Sequence, residues 1–209
     1  MQIEATSLGK RFHRDWIFRG LTHTFQPDTA TAILGPNGSG KSTLLNTLSG
    51  QLLPTEGTLT YSYQGKSVAV EEVPQLLAYC APYLELVEEL TLTELLHFHT
   101  RFKPLQAGLS TEGLIERMYL EKSRHKLVRD FSSGMKQRLK LGIALYAAAP
   151  LLLLDEPTTN LDRTGVEWYR EHVRATASGR LVLISSNVPE EYDFCTTQLD
   201  VTSFARSVR

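Results

Sequence analysis

Residues Gly35 to Ser42 read GPNGSGKS, and no other stretch of this 209-residue chain restricts the fold so tightly. The run fits G-x-x-x-x-G-K-[ST]. Its glycines let the backbone curl so that successive N–H groups converge on anionic oxygens. Thr29 to Leu34, TATAIL, is short, apolar and β-branched, which predicts a buried strand before the loop. Lys41 to Ser49 predicts a helix after it, whose N-terminal end adds partial positive charge. A strand, a glycine-rich loop and a helix in that order form a cradle for a triphosphate. Lys41 reaches its outer phosphates, and the Ser42 hydroxyl is placed to ligate Mg²⁺. Gly35, Pro36, Asn37, Gly38, Ser39, Gly40 and Thr43 complete the candidate contact set.

A second element serves the same chemistry. Leu151 to Leu154 is a fully apolar strand that closes on Asp155-Glu156. An Asp at a strand's carboxyl end sits where Mg²⁺ is held, and Glu156 beside it can take a proton from the attacking water. The rest of the chain alternates between the two periods. Met1 to Phe25 reads as short strands with turns, and Gly57–Tyr63 and Leu181–Ser185 as strands. Leu90 to about Lys126 reads as helical, with a linker over Lys103–Ser110. Ser132–Ala149 predicts a helix with Met135, Leu139, Ile143 and Tyr146 on one face, and Val166–Ala177 predicts another. Alternating strands and helices imply an α/β protein with a largely parallel sheet, and the helical stretch from 82 to 130 is an insertion in that pattern.

Composition removes several classes. Lys plus Arg is 22 and Asp plus Glu is 23, a net charge of -1, which argues against a nucleic-acid partner. Cys80 and Cys195 fit neither a zinc spacing nor C-x-x-C, and read as thiols of a reducing compartment. The opening MQIEATSLGKRF has no apolar h-region, so no signal peptide is expected. The most apolar stretch, Leu141 to Leu154, is broken by Pro150 and is shorter than the roughly 20 residues that span a bilayer. If the protein works at a membrane, another chain is expected to supply the span.

A third element is more specific. Phe131-Ser132-Ser133-Gly134-Met135-Lys136-Gln137-Arg138 resembles the signature of the ABC transporter ATPases, usually written LSGGQ. Asp155-Glu156-Pro157-Thr158-Thr159-Asn160-Leu161-Asp162 resembles the Walker B motif and D-loop of the same family, and all these motifs stand in the family's order. The resemblance covers essentially the whole chain. It implies a P-loop NTPase (RecA-like) parallel-sheet core with an N-terminal antiparallel β subdomain, residues 1–81 and 131–209 forming the core and 82–130 a helical subdomain. It implies an ATP-binding and ATP-hydrolysing subunit, using ATP and Mg²⁺, on the cytoplasmic face of a cell membrane beside a separate integral-membrane permease. Two such chains, identical or paralogous, sandwich ATP head to tail. Ser132 and Gly134 then close on the ATP held by the partner chain, and Asp162 belongs to the D-loop between them. The signature most resembles exporter-type subunits. By the same resemblance Phe12, in Gly9-Lys10-Arg11-Phe12, is the adenine-stacking aromatic, with Trp16 as the alternative. A soluble ABC-type ATPase, or an ATP-sensing regulatory module not engaged in transport, is the alternative function.

Two positions depart from the family. The switch histidine that ends the Leu181–Ser185 strand segment is Asn187, whose amide donates a hydrogen bond but takes up no proton. The glutamine that precedes the helical subdomain is replaced by Pro82 in one register, and is Gln75 in another. Intact Lys41, Ser42, Asp155 and Glu156 beside Pro82 and Asn187 predict ordinary Mg-ATP binding with slow turnover.

Overall fold

The computed structural model describes residues 1–204. Two sheets organise the chain. The first is antiparallel, with spatial order β2-β1-β4-β5, built from β1 (Gln2–Phe12), β2 (Asp15–Phe25), β4 (Glu56–Tyr63) and β5 (Lys66–Val68). The second is parallel throughout, in the order β6-β7-β8-β3-β9. Its strands are β3 (Ala30–Leu34), β6 (Leu77–Cys80), β7 (Leu151–Asp155), β8 (Leu181–Ser185) and β9 (Thr197–Asp200). The P-loop NTPase architecture expected from the resemblance is therefore present.

Every residue of β7 and β8 is buried, as befits strands covered on both faces. Because side chains alternate, Leu152, Leu154, Val182 and Ile184 enter one core while Leu151, Leu153, Leu181 and Leu183 enter the other. The second core is completed by Leu44, Leu45 and Leu48 of α1 (Lys41–Leu48) and by Ile3, Phe18 and Phe25 of the antiparallel sheet. The first is completed by α3 (Leu92–Phe102), α4 (Thr111–Arg117), α5 (Ser133–Tyr146) and α6 (Arg163–Ala177). Each fully buried Leu is worth about 1.5–3 kcal/mol against exposure. The sheet's position is therefore set by these two faces. The short α2 (Val73–Leu76) and α7 (Pro189–Tyr192) flank β6 and β9.

The helices begin where the sequence supplies caps. Thr91 and Glu94 form a reciprocal capping box on α3, and Ser110 and Ser132 accept from the Gly113 and Met135 amides on α4 and α5. Asp162 caps α6 by accepting from the Gly165 amide at 2.7 Å.

Several elements differ from the sequence reading. The N-terminal strands are two long ones of 11 residues each, because bulges in β1 let it continue past the registers at Leu8 and Lys10. β6 and β9, four residues each, went unread, being too short to show a period. The helix expected over Ser132–Ala149 ends at Tyr146, and Ala147 pairs with Leu105 as an isolated bridge. Its buried set is wider than the expected face. Met135 and Ile143 are only half-buried, while Gln137, Leu141, Ala144 and Leu145 are buried, because α4, α6 and β6 all pack against α5. Cys80 and Cys195 are free thiols, and burial pushes both up to about 12.

The end of α5 is closed by two side chains, Arg180 and Gln106, whose amide donates to Leu145 O at 3.2 Å. Arg180 is buried and donates to the carbonyls of Ala144 (3.4 Å), Leu145 (2.8 Å) and Ala149 (2.7 Å). Burial without an acidic partner pulls its guanidinium down to about 10. Arg180→Met fills similar space but removes these donors, leaving Leu145 O with the Gln106 amide. We expect it to lower unfolding free energy by about 3 kcal/mol, read from urea midpoints. A loss under about 0.5 kcal/mol, within the range of ordinary surface substitutions, contradicts the capping role.

Candidate nucleotide-binding site

Parallel pairing brings the key residues to one edge. β3, β8 and β7 are neighbours, with Ile33 opposite Ser185 and Ser185 opposite Asp155. The loop after β3, the pair Asp155-Glu156 after β7 and Asn187 after β8 therefore leave the same carboxyl edge, where open α/β sheets bind ligands. β6 lies on β7 with Cys80 opposite Leu154, so Pro82 follows at that edge too. Gln75 lies in α2, at the amino end of β6 and away from the site.

The loop has the curl its glycines predict. Gly35, Gly38 and Gly40 hold φ of 143°, 81° and 101°. A Cβ on Gly40 would lie 2.3 Å from Ile17 Cγ2, so the loop also packs closely on β2. Lys41 is buried, and its ammonium donates to the carbonyls of Gly35 (2.8 Å) and Pro36 (3.3 Å). α1 has no side-chain cap, which leaves its first-turn amides free of protein acceptors on side chains. Ser39 Oγ is buried beside them without a partner. An orphaned hydroxyl, uncapped amides and a loop ammonium form a set of donors that fits the oxygens of a triphosphate.

Asp155 is buried and accepts from the Ser185 hydroxyl at 2.6 Å. Glu156 is half-buried, with φ 44°, an unusual backbone for a non-glycine residue. Its amide donates to Ser185 O (2.9 Å), and its carbonyl accepts from the Thr159 amide (3.2 Å). Asn187 is exposed, and its side-chain amide donates to Asn37 Oδ1 at 2.7 Å, so the residue at the switch position reaches across to the loop. Asn37, Glu156, Thr158, Asn187 and Glu191 share one cleft of about 250 Å³.

Ser132 is exposed at the start of α5, and Gly134 lies against the D-loop, where an added Cβ would meet Asn160 O at 3.2 Å. Asp162 caps its own α6. Within one chain Gly134 and the D-loop carbonyl of Asn160 are thus neighbours. Ser42 and Thr43 open α1, half-buried beside Lys41. Phe12 is exposed at the end of β1 with Lys10 Nζ 5.1 Å from its ring. Trp16 is half-buried, with Arg19 and Arg11 at 4.4 and 5.3 Å from its ring. Ile17 ties this hairpin to Gly40.

Sequence reasoning missed two side chains that hold the Glu156 turn. Gln137 is buried and donates to Pro157 O at 2.7 Å, and Glu191 accepts from the Thr158 amide at 2.8 Å. Gln137 stands inside the signature stretch, so the signal was present but read only as a family mark. Glu191 carried none, because an acidic residue in PEEY looks like an ordinary solvated turn.

The family model described as ABC transporter matches residues 18–159. The chain belongs to the ABC transporter family. It is 30% identical over 189 residues to the human retinal-specific phospholipid-transporting ATPase ABCA4, covering 89% of this chain and 8% of that one. It is 29% identical over 191 residues to an uncharacterised ABC transporter ATP-binding protein of Bacillus subtilis, YybJ, covering 90% of this chain and 87% of that one. The dimeric post-hydrolysis structure of the ATP-binding cassette MJ0796, bound to ADP and Pi, superposes with a TM-score of 0.80 at 18% identity, over 95% of this chain and 94% of that one. At that identity the likeness is one of fold. This ABC nucleotide-binding domain thus spans a small fraction of ABCA4 and most of YybJ. Among the described residues no helix is long and apolar enough to cross a membrane.

The loop geometry gives a graded test. Gly38→Ala meets only backbone strain, since nothing lies within 4 Å of the added Cβ, whereas Gly40→Ala adds the overlap with Ile17. We expect Gly40→Ala to cost about 1–3 kcal/mol more than Gly38→Ala in urea unfolding, with Ile17→Ala in the same chain removing most of the excess. Equal costs contradict the packing described.

Proposed function

We propose that this chain is the ATP-hydrolysing subunit of an ABC transporter, which couples ATP-driven closure of two such subunits to a separate membrane permease. The observation that carries it is the convergence of Lys41, Asp155, Glu156 and Asn187 at one sheet edge. In this reading the loop amides of residues 35–43 and the Lys41 ammonium hold the β- and γ-phosphates of ATP. Ser42 and Asp155 hold Mg²⁺, which would neutralise charge developing on the phosphates. Glu156 Oε accepts a proton as the water oxygen attacks the γ-phosphorus and its bond to the β–γ bridging oxygen breaks, releasing ADP and phosphate; Asn187 donates its amide N–H to a γ-phosphate oxygen. Phe12, exposed on the hairpin that touches Gly40 through Ile17, stacks on adenine.

Ser132 and Gly134, at the exposed start of α5, meet the ATP of a second subunit, identical or paralogous, with Asp162 in the D-loop between them. The dimeric state of MJ0796 supports that arrangement. We divide the chain into a core of 1–81 and 131–209 and a helical subdomain of 82–130. The permease contacts the groove between them, where Leu84, Leu86 and Val87 lie beside exposed Phe98, with Glu85, Glu89, Lys136 and Lys140 around it. The chain then works at the cytoplasmic face of the membrane. The transporter names of ABCA4 and YybJ favour this reading over a soluble or regulatory ATPase.

Asn187 keeps a donor at the γ-phosphate but no imidazole, and Pro82 supplies no side-chain amide, so turnover is slow while binding is retained. Steady-state ATPase and size-exclusion elution with Mg-ATP test both parts. We expect Asn187→His to raise kcat about three- to tenfold, since a charge-assisted bond replaces a neutral one. Glu156→Gln should abolish turnover and elute as an ATP-dependent dimer. A Glu156→Gln variant that hydrolyses at the wild-type rate, or stays monomeric at saturating Mg-ATP, overturns the proposal.

A further inference from the structure

Glu156 begins a turn with left-handed backbone at both ends, unusual for the glutamate. It and Asn160 hold positive φ of 44° and 66°, and neither is glycine. Such backbone persists only when the surroundings over-determine it. Inside the turn the bonds are local: the Thr159 amide donates to Glu156 O at 3.2 Å and the Leu161 amide to Thr158 O at 2.9 Å. Long-range support comes from Gln137 on one side and Glu191 on the other.

Glu191 is an expensive choice for that task. It is 2% exposed. One carboxylate oxygen accepts both the amide and the hydroxyl of Thr158, and the other is buried with no partner. Burial raises its pKa, and the nearby Glu156 charge raises it further, against the pull of the Thr158 donors. Its backbone is fixed from behind, since the buried Tyr169 hydroxyl donates to Glu191 O at 2.8 Å. A segment of this chain needing only a turn contact would be served by a neutral acceptor.

Position explains the placement. Asn187 and Glu191 lie on one short segment after β8. Asn187 grips Asn37 of the phosphate loop, and four residues later Glu191 grips Thr158 of the base turn. Both contacts border the same cleft. We infer that the 187–191 segment is a brace across the cleft, in which Glu191 is a positioning residue that fixes the direction of the Glu156 carboxylate through Thr158. Movement of the phosphate loop against Asn187 is then passed to the base, and the base to the loop. This inference rests on the ATPase reading above for its effect on turnover, and on the hydrogen bonds alone for its effect on the turn.

The test uses Glu191→Ala, Glu191→Gln and Thr158→Val in the full chain, with kcat, KM and amide hydrogen exchange of the ATP-free protein. Gln keeps an oxygen that accepts both Thr158 donors, whereas Ala removes it. We expect Glu191→Ala to lower kcat about tenfold or more with KM within about threefold, and Glu191→Gln to recover most of it. Thr158→Val, which removes one of the two donors to that oxygen and leaves the carboxylate in place, should lower kcat in the same sense. Exchange at residues 158–161 should rise about tenfold in Glu191→Ala and stay near wild type in Glu191→Gln, with β7 and α5 protection unchanged. Unchanged exchange at 158–161 in Glu191→Ala, or a Glu191→Gln variant as impaired as the alanine, overturns the brace. A wild-type chain without ATPase activity refutes the hydrolytic reading instead, and the exchange data still decide the brace.

Discussion

Parallel registration of β7, β8 and β3 is the constraint on which the rest depends. Once Asp155 stands opposite Ser185 and Ser185 opposite Ile33, the loops that follow these strands emerge side by side. That registration is secured by apolar burial on both faces. Shifting any of these strands by one residue would exchange the side chains that enter the two cores. The chemistry at the edge is thus positioned by leucines that touch no ligand.

At that edge, polar contacts run between loops and are few. Lys41 is folded onto the carbonyls of its own loop, Ser185 holds Asp155, Asn187 holds Asn37, and Glu191 and Gln137 hold the turn that carries Glu156. Gln137 belongs to the helix that begins with Ser132 and Gly134. The base turn is therefore tied both to the phosphate loop and to the start of α5.

The fold was largely legible in the sequence, for physical reasons that differ by element. Leu151–Asp155 and Leu181–Ser185 were readable because strands buried on both faces are continuously apolar, and the Gly35–Ser42 loop because few chemistries need that spacing. β6 was not readable, since LAYC has neither length nor alternation. The end of α5 was misjudged by three residues, because the Leu145 carbonyl near it is taken by Arg180 and Gln106, each distant in sequence. The same limit applies to the site. Lys41, Asp155 and Glu156 announce themselves by type and spacing, whereas Glu191 acquires meaning only when folding sets it against Thr158. The choice between Pro82 and Gln75 likewise turns on which end of β6 each occupies, and the strand had first to be found.

The measurement that bears most directly on the central claim is a calorimetric titration of the purified chain with Mg-ATP, run beside Lys41→Ala. The account predicts one saturable site per chain, with affinity reduced about 100-fold in the variant by loss of the loop ammonium, a difference of about 2.7 kcal/mol. A wild-type chain that takes up no Mg-ATP at millimolar concentration, or a Lys41→Ala variant that binds as tightly as wild type, would contradict it.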